Sequence, residues 1–178
     1  STLMRSSAAS DVYKRQFLDS GTTTLELAKL IVAGEKRKIV PCTNNIFIAA
    51  ELAKAGDMRS IIIGGELRTN IYSCVGSLAQ QALSGLFFDK GFISSNHFTL
   101  ERGFSTPTLG EAQLKRQVLA ASKESFLLMD YTKYGDDSMV QIAPPDGIDV
   151  LITDWHMPEN VAQGFREKNV KVITAQKE

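Results

Sequence analysis

Short apolar runs alternate with segments of helical spacing along most of this chain. The apolar runs predict strands at residues 17–18, 39–43, 60–63, 90–94, 126–130, 150–154 and 170–174. Apolar residues at helical spacing predict helices over residues 25–31, 46–53, 109–122 and 158–168, with a further helix from Gly76. Several strands are apolar throughout, as expected where helices cover both faces of a sheet. The pattern therefore predicts a three-layer α/β fold with a mainly parallel, open sheet.

A turn of small and hydroxyl-bearing residues separates the first predicted strand from the first predicted helix. It consists of Asp19, Ser20, Gly21, Thr22, Thr23 and Thr24. The start of a helix presents unpaired backbone N–H groups and the positive end of the helix dipole, and glycine lets a ligand come close. We therefore interpret the turn as a phosphate-binding cradle. The alternative is an ordinary Ser/Thr N-cap, which needs one hydroxyl residue and does not explain a glycine followed by three threonines.

Further candidate ligand residues follow the ends of later predicted strands. They are Thr43 and Asn44, Gly64 and Gly65, and Asp130 and Lys133. In open α/β sheets, ligands bind outside the carboxyl ends of the strands. Ordinary turn chemistry is an alternative that accounts well for Gly64 and Asn44. It accounts poorly for Lys133, although a lysine at this position is also compatible with a solvated surface charge.

The first sixteen residues differ from the rest of the chain. They lack helical or strand periodicity, and residues 6–16 resemble translated sequencing-adapter sequence more than natural protein. We interpret residues 1–16 as a non-native or linker segment and residues 17–178 as one domain. On this interpretation a genuine N-terminal region has been lost. A natural linker or a short helix is the alternative.

Composition excludes several classes of function. The 178 residues include 20 basic and 20 acidic side chains, so the chain lacks the basic excess that a nucleic-acid surface needs. Histidines and cysteines do not cluster, so we expect no metal and no cofactor, and we expect Cys42 to be a reduced, packed thiol. There is no apolar run of membrane-spanning length and no signal-peptide layout, which predicts a cytoplasmic protein.

A series of short motifs, taken in order, gives the chain a resemblance to a known family. They are FLDSGTTT at 17–24, TN at 43–44, IGGELR at 63–68, VG at 75–76, FDKGFI at 88–93, RGFST at 102–106, EAQLK at 111–115 and DYTKYG at 130–135. Together they resemble the C-terminal effector-sensing domain of DeoR-family bacterial transcriptional repressors over residues 17–178. The resemblance implies a fold shared with ribose-5-phosphate isomerase and a phosphorylated sugar or related metabolite as effector. It also implies a preceding helix-turn-helix domain, which this sequence lacks.

The resemblance also implies roles for individual residues around the phosphate. Residues 20–24 would hold the phosphate through backbone N–H and hydroxyl groups. Thr43 and Asn44 would line the pocket. Lys133 would place a positive charge against the phosphate.

Other positions bear on the sugar end of the effector. By the same resemblance, Glu111 would lie near the sugar hydroxyls, and Asp19 and Asp130 would be structural or polar lining. The chain departs from the family pattern at Asn45, where serine is frequent, and in the loop at 94–97, where glycine is frequent. Because that loop is expected to touch the sugar, the departures leave the identity of the effector open.

A sugar-phosphate isomerase on the same fold is the alternative function. Aldose–ketose isomerisation needs a base beside a carbonyl and groups that stabilise the enediolate. The isomerase carries an acid-rich segment in the loop after the corresponding strand, whereas residues 94–98 here contain no carboxylate. Glu101 and Glu111 follow further on, in a different arrangement. We therefore expect binding without turnover.

Self-association is expected because repressors that read paired DNA half-sites are symmetric. A homodimer or homotetramer would place its contacts in the apolar stretches at 84–88 and 140–145. The alternative is that these stretches belong to the core of one subunit. DNA would be reached only through the missing N-terminal domain.

Overall fold

The computed structural model describes residues 14–34 and 38–176. Its strands are β1 (Lys14–Leu18), β2 (Ile39–Thr43), β3 (Ile61–Ile62), β4 (Glu66–Arg68), β5 (Ser73–Val75), β6 (Phe88–Ile93), β7 (His97–Thr99), β8 (Gly103–Thr106), β9 (Ser122–Leu128), β10 (Val140–Ala143), β11 (Val150–Thr153) and β12 (Lys171–Thr174). Its helices are α1 (Thr22–Ala33), α2 (Ile46–Ala53), α3 (Gly76–Leu83), α4 (Leu109–Ala121) and α5 (Glu159–Arg166), with a 3-10 turn at Tyr131–Lys133. Within the described ranges, none of these helices has the length and apolar character needed to cross a membrane.

Seven strands form one parallel sheet in the order β12-β11-β9-β6-β1-β2-β3. From β1 the chain moves outward to β2 and β3, and from β6 it moves the opposite way to β9, β11 and β12. The strand order therefore reverses between the neighbours β1 and β6, which opens a crevice at their carboxyl ends. The predicted α/β fold with a parallel, open sheet is confirmed.

Helices cover both faces of the sheet, which makes three layers. The alternation of β1 shows this directly, because its last two side chains are both fully buried and point to opposite faces. Phe17 packs with Leu83 of α3, whereas Leu18 packs with Ala28 of α1 and Ile48 of α2. The last two residues of β1 are thus fixed between two helical layers, and the turn that follows them starts from a rigid position.

Two smaller sheets were not predicted from the hydrophobic pattern. Strands β4 and β5 form an antiparallel hairpin, and β10, β8 and β7 form a three-stranded antiparallel sheet. Each of these strands has only three or four residues, too few to show a period of two. The hairpin matters for function because its turn contributes to the cleft described below.

The two predicted contact stretches have different surroundings. Ile142 and Ala143 of β10 are buried in the core, at 3% and 5% exposure, which favours the alternative that the stretch at 140–145 belongs to the core of one subunit. In the stretch at 84–88, Phe88 is also in the core. Phe87 is 65% exposed, so it is the one large apolar ring of that stretch that faces outward.

Strand β1 begins at Lys14, three residues earlier than predicted. Residues 14–16 pair with β2, and Gln16 also pairs with Lys90 of β6. Arg15 donates hydrogen bonds to the carboxylate of Asp89, from its backbone N at 2.8 Å and from its guanidinium at 3.1–3.2 Å. These residues are thus part of the sheet, whereas the prediction of a non-native origin otherwise concerns residues outside the described part of the chain.

Both cysteines are free and buried. Burial raises the pKa of the Cys42 thiol to about 12, so this thiol stays protonated and unreactive at neutral pH. The reduced, packed thiol predicted at this position is confirmed.

Candidate functional site

A cleft of about 470 Å³ lies at the carboxyl ends of β1 and β6, where the strand order reverses. Its lining comes from the β1–α1 turn, the start of α2, the β4–β5 turn, the loop after β6, helix α4 and the segment after β9. This volume lies in the range of small-molecule sites. The cleft brings together the following residues that were proposed from sequence: Ser20, Gly21, Thr22, Thr23, Asp130, Glu111 and Lys133.

The β1–α1 turn presents an uncapped helix start to this cleft. Gly21 is the N-cap of α1 at φ 149°, and among the described residues no side chain caps the first turn of the helix. Thr22 and Thr23 are exposed and line the cleft, whereas Thr24 is buried and its Oγ1 donates to the Gly21 carbonyl at 2.9 Å. The ordinary N-cap interpretation therefore does not describe this helix, and the N–H groups of its first turn remain available to an anion.

A buried ion pair beneath the cleft holds the β1–α1 turn in position. Asp19 is 1% exposed and its carboxylate pairs with Lys115 of α4, which is 4% exposed. Asp19 also accepts from the backbone N of Ser94 at 3.0 Å and from its Oγ at 3.1 Å, and Lys115 donates to the Ser94 carbonyl at 3.0 Å. The Ser94 hydroxyl further contacts the Ser20 carbonyl. Three elements are thus joined at the floor of the cleft, and Asp19 lies in a supporting position beneath it.

Glu111 lies at the cleft with both carboxylate oxygens engaged. Oε1 pairs with the guanidinium of Arg68, and Oε2 accepts from Thr106 Oγ1 at 2.6 Å. The same guanidinium donates to Thr108 Oγ1 at 2.6 Å, and Thr108 is the N-cap of α4. The start of α4 and strand β4 are therefore held together by a network of charged and hydroxyl groups.

The Thr43–Asn44 pair lies beneath the cleft rather than in its lining. Thr43 is fully buried and its Oγ1 accepts from the backbone N of Asn45 at 3.1 Å. Asn44 Nδ2 donates to the Cys74 carbonyl at 2.9 Å, and within the described residues Asn44 Oδ1 has no hydrogen-bond partner. Asn45 lines the cleft instead and caps α2, accepting from the backbone N of Phe47 at 3.0 Å. The predicted pocket position is therefore taken by the next residue along the chain.

Gly64 and Gly65 also lie outside the cleft lining, so the ligand role predicted for them has no support in the geometry. A Cβ atom at Gly65 would lie 2.7 Å from the Val75 carbonyl oxygen and 2.9 Å from Ala79 Cβ, at φ 157°. Gly65 is therefore required by the close packing of the chain against α3. Gly64 is exposed, with open space around it, and fits the turn interpretation.

Lys133 is the cleft lysine that remains available for a ligand. It is exposed in the 3-10 turn after β9, where Asp130 caps the turn by accepting from the Thr132 backbone N at 3.0 Å. Lys115 and Arg68 are bound to carboxylates, whereas Lys133 forms no ion pair with any residue of the described ranges. A phosphate at the cradle would find here a positive charge without an internal partner.

Several cleft residues were not assigned a role from the sequence. Arg68 and Lys115 lie within the motifs that carry the family resemblance, and Lys115 lies one helical turn after Glu111 on the same face of α4. This four-residue spacing was the sequence signal that could have identified Lys115 as a cleft residue. The sequence contained no such signal for Phe47 and Tyr72, because single aromatic residues in short segments do not reveal which cavity they border.

The described residues contain no group of three or more His, Cys, Asp or Glu side chains placed to hold a metal ion.

Comparison with known proteins places these features in context. The family model for the DeoR C-terminal sensor domain matches residues 9–155. Relatives include a provisionally named aga operon transcriptional repressor of Escherichia coli O157:H7, 33% identical across 89% of this chain and 58% of the relative. The uncharacterised HTH-type transcriptional regulator YgbI of Escherichia coli K12 is also 33% identical, across 91% of this chain and 62% of the relative. The HTH-type transcriptional regulator GlpR of Haloferax volcanii is 31% identical, across 88% and 60%.

Among solved structures, ribose 5-phosphate isomerase A of Methanocaldococcus jannaschii has a TM-score of 0.48 at 10% identity, covering 68% of this chain and 47% of that chain. The ribose 5-phosphate isomerase of Plasmodium falciparum has a TM-score of 0.45 at 14% identity, covering 78% and 53%.

The chain spans about 60% of the length of the regulators it matches. The family model covers most of the chain, and the motifs that carry the resemblance follow in one order along it. The chain belongs to the DeoR C-terminal sensor domain family.

Proposed function

We propose that this domain senses a phosphorylated sugar or a related metabolite on behalf of a DNA-binding transcriptional regulator. The observation that carries the proposal is the presence, in one cleft, of an uncapped helix start at Gly21–Thr23 and of Lys133, which has no ion-pair partner among the described residues. Backbone N–H groups at a helix start and a lysine charge together suit a phosphate. The remaining ligand-facing groups proposed for the phosphate are the Ser20 backbone and the hydroxyls of Thr22 and Thr23.

Calorimetry with matched sugars and sugar phosphates tests this proposal. Each charge-assisted hydrogen bond to the phosphate is expected to contribute about 1.5–3 kcal/mol, so the unphosphorylated sugar should bind at least about tenfold more weakly. Equal affinity for the two forms would refute the proposal. Inorganic phosphate serves as a control, because it should compete with a sugar phosphate and not with a sugar bound elsewhere.

The whole regulator would bind DNA through a helix-turn-helix part outside this chain. Relatives of the chain are named as HTH-type regulators, and the chain spans about 60% of their length. The chain has a formal net charge of zero, so it lacks the excess of positive charge that favours tight, salt-dependent binding to the phosphate backbone. We therefore propose that the regulator is a cytoplasmic homodimer or homotetramer in which this domain binds the effector and the other part binds DNA.

An isomerase remains the second candidate, because Glu111 borders the cleft. A general base must be free to take a proton from the substrate. Both Glu111 oxygens are occupied by Arg68 and Thr106, and the Asp19 carboxylate is occupied by Lys115 and Ser94. These contacts favour binding without turnover. A coupled assay with ribose 5-phosphate is the test, and turnover abolished by Glu111→Gln would establish the enzyme instead.

A further inference from the structure

Two aromatic side chains border the cleft in contact with each other. Phe47 at the start of α2 is 52% exposed, and Tyr72 in the β4–β5 turn is 44% exposed. Their ring centroids are 4.5 Å apart at an interplanar angle of 66°, an edge-to-face contact. Both rings belong to the lining of the cleft that holds the phosphate cradle. This aromatic pair, Phe47 and Tyr72, offers apolar surface within a largely polar cleft.

Hydrogen bonds fix the backbone segments that carry the two rings. The amide of Asn45 donates to the Ile71 carbonyl at 3.0 Å, while its oxygen accepts from the Phe47 backbone N at 3.0 Å. The backbone N of Ile46 donates to the Tyr72 carbonyl at 3.0 Å. These bonds fasten the β4–β5 turn to the start of α2, so the backbone positions that carry the two rings are fixed relative to each other.

The backbone conformation of Tyr72 is energetically unfavourable. Its φ is +55°, a left-handed conformation that is uncommon for a residue other than glycine and unfavourable for a bulky one. A tyrosine held in this conformation at the border of a cleft is a recognised mark of functional sites, where the surrounding structure fixes the strained residue. Asparagine or glycine would suit the turn better, so the turn alone does not explain the ring.

The surroundings of the aromatic pair favour an uncharged ligand surface. The start of α2 and the β4–β5 turn add two amides to the lining, those of Asn45 and Asn70, and the nearby Arg68 guanidinium is neutralised by Glu111. The Asn45 amide is engaged by the protein itself through both its nitrogen and its oxygen, which leaves the Asn70 amide to meet a ligand. Amides bind hydroxyl groups, and aromatic faces pack against a flat set of C–H groups. A cyclic sugar presents both, with an apolar face and hydroxyls around its edge. An acyclic chain has neither a flat face nor a fixed shape, and it loses more conformational freedom on binding.

We propose that Phe47 and Tyr72 bind the ring of a cyclic sugar phosphate, and that they select cyclic over acyclic effectors. The inference rests on the proposed function, because the phosphate cradle anchors the other end of the same ligand. It assigns the aromatic pair to effector specificity and the cradle with Lys133 to affinity for the phosphate.

The test uses the intact chain and matched ligand pairs. Glucose 6-phosphate and ribose 5-phosphate are each compared by calorimetry with the acyclic polyol phosphate made from them by borohydride reduction, and inorganic phosphate is measured alongside. The chain is expected to bind at least one sugar phosphate about tenfold more tightly than its reduced partner. Binding of any of the phosphates without this preference refutes the inference and leaves the proposed function standing. No binding of any phosphate, inorganic phosphate included, refutes both.

Substitutions then test whether the aromatic pair causes the preference for cyclic ligands. Phe47→Ala and Tyr72→Asn are expected to remove most of it while leaving the affinity for inorganic phosphate within about twofold of the original. Asparagine tolerates the left-handed backbone, so Tyr72→Asn removes the ring without disturbing the turn. Tyr72→Phe keeps the ring and should keep the preference. The matched control is Trp155→Ala, which removes a ring of similar exposure, 45%, from outside the cleft lining. An equal loss of affinity for every ligand, or an unchanged preference in both ring deletions, would overturn the inference.

Discussion

Lys115 illustrates how a single residue can support the site without facing solvent. Its ammonium and the Asp19 carboxylate form a pair in which both residues are almost fully buried. The gain from such a pair is offset by the cost of removing two charges from water, so burial alone does not explain its presence. Its contacts to Asp19 and Ser94 do, because they fix the β1–α1 turn against the loop after β6.

Removing the lysine charge is expected to destabilise the fold. Lys115→Met leaves the Asp19 carboxylate buried without a counter-charge, at a cost of about 3–5 kcal/mol in the free energy of unfolding. The double variant Lys115→Met with Asp19→Asn should recover most of this loss, since no charge is then left unpaired. Urea unfolding of the two single variants and the double variant measures the coupling. Simple addition of the two single effects would show that the pair is not coupled.

Lys133→Ala is expected to weaken ligand binding without destabilising the fold. The side chain is exposed and has no ion-pair partner within the described residues, so unfolding should be unchanged within about 0.5 kcal/mol. Affinity for a phosphorylated ligand should fall about tenfold, and less at high salt, because an exposed charge is screened. Titration at two salt concentrations is the measurement, with Lys168→Ala as the control outside the cleft lining. Unchanged binding by the Lys133 variant would identify this lysine as a solvated surface charge.

Gly21→Val should abolish phosphate binding while the protein still folds. At φ 149° a side chain is strained, and a Cβ atom there would lie 3.2 Å from both Cβ and Oγ of Ser94. The change therefore disturbs the turn where a phosphate would approach, at an exposed position that adds little to the core. Far-UV circular dichroism and calorimetry are measured on the same sample, and normal binding by the folded variant would remove the turn from the site.

The sequence could predict candidate site residues that follow one another in the chain, and not those that reach the cleft through packing. The run from Ser20 to Thr24 is recognisable as a candidate because a strand, a glycine turn and a helix are consecutive in the chain. Arg68 and Lys115 reach the cleft because α4 packs against β4 and the end of β1, contacts between residues 43 and 96 positions apart. The exchange of Asn44 for Asn45 at the cleft has a similar cause, since a shift of one residue decides which side chain faces inward.

At the scale of elements, the parallel sheet was predictable and its short additions were not. Strands with a run of three consecutive apolar residues, such as β9 and β11, give a clear signal in the sequence. The hairpin of β4 and β5 has three residues on each side and depends on pairing partners rather than on a pattern. The start of β1 was missed for a related reason. Lys14, Arg15 and Gln16 are polar, and they are ordered by pairing with β2 and by the contact of Arg15 with Asp89.

The contact between Arg15 and Asp89 is expected to make the stability of the protein depend on pH. Hydrogen bonds from the Arg15 side chain and backbone, with a further contribution from Lys123, hold the pKa of Asp89 well below its usual range. A depressed carboxylate pKa adds stability above the unfolded-state pKa of about 3.9, and this contribution is lost as the pH falls toward the lower folded-state value. Asp89→Asn should therefore be less stable than the original chain at pH 7.

The difference between the two proteins should shrink steadily as the pH falls below about 4. Urea midpoints measured from pH 7 downward, while both proteins remain folded, show the trend. A stability difference that stays constant from pH 7 downward would mean that the Asp89 side chain stabilises the fold through packing rather than through its charge.

At the scale of the whole molecule, the proposed binding site and the proposed contact surface lie at opposite edges of the sheet. The cleft lies at the carboxyl edge, where both helical layers contribute to its lining: the β1–α1 turn and the start of α2 from one layer and α4 from the other. Phe87 directly precedes β6, so it lies at the amino edge of the sheet, and it is 65% exposed. A ligand at the cleft and a second subunit at Phe87 would thus touch different parts of the fold, and both could be bound at once.

The chain is therefore expected to self-associate through the stretch at 84–88. An exposed phenylalanine beside a buried one is compatible with a symmetric contact, in which the same residues of two copies meet. Light scattering at micromolar concentration should show a dimer or a tetramer, and Phe87→Glu should shift it toward the monomer by placing two like charges in the contact. Leu30→Glu is the matched control, because Leu30 is 71% exposed on α1, in the helical layer opposite to that of α3. A monomeric original chain would contradict self-association through this domain, and dissociation caused by Leu30→Glu alone would move the contact to the layer that holds the cradle.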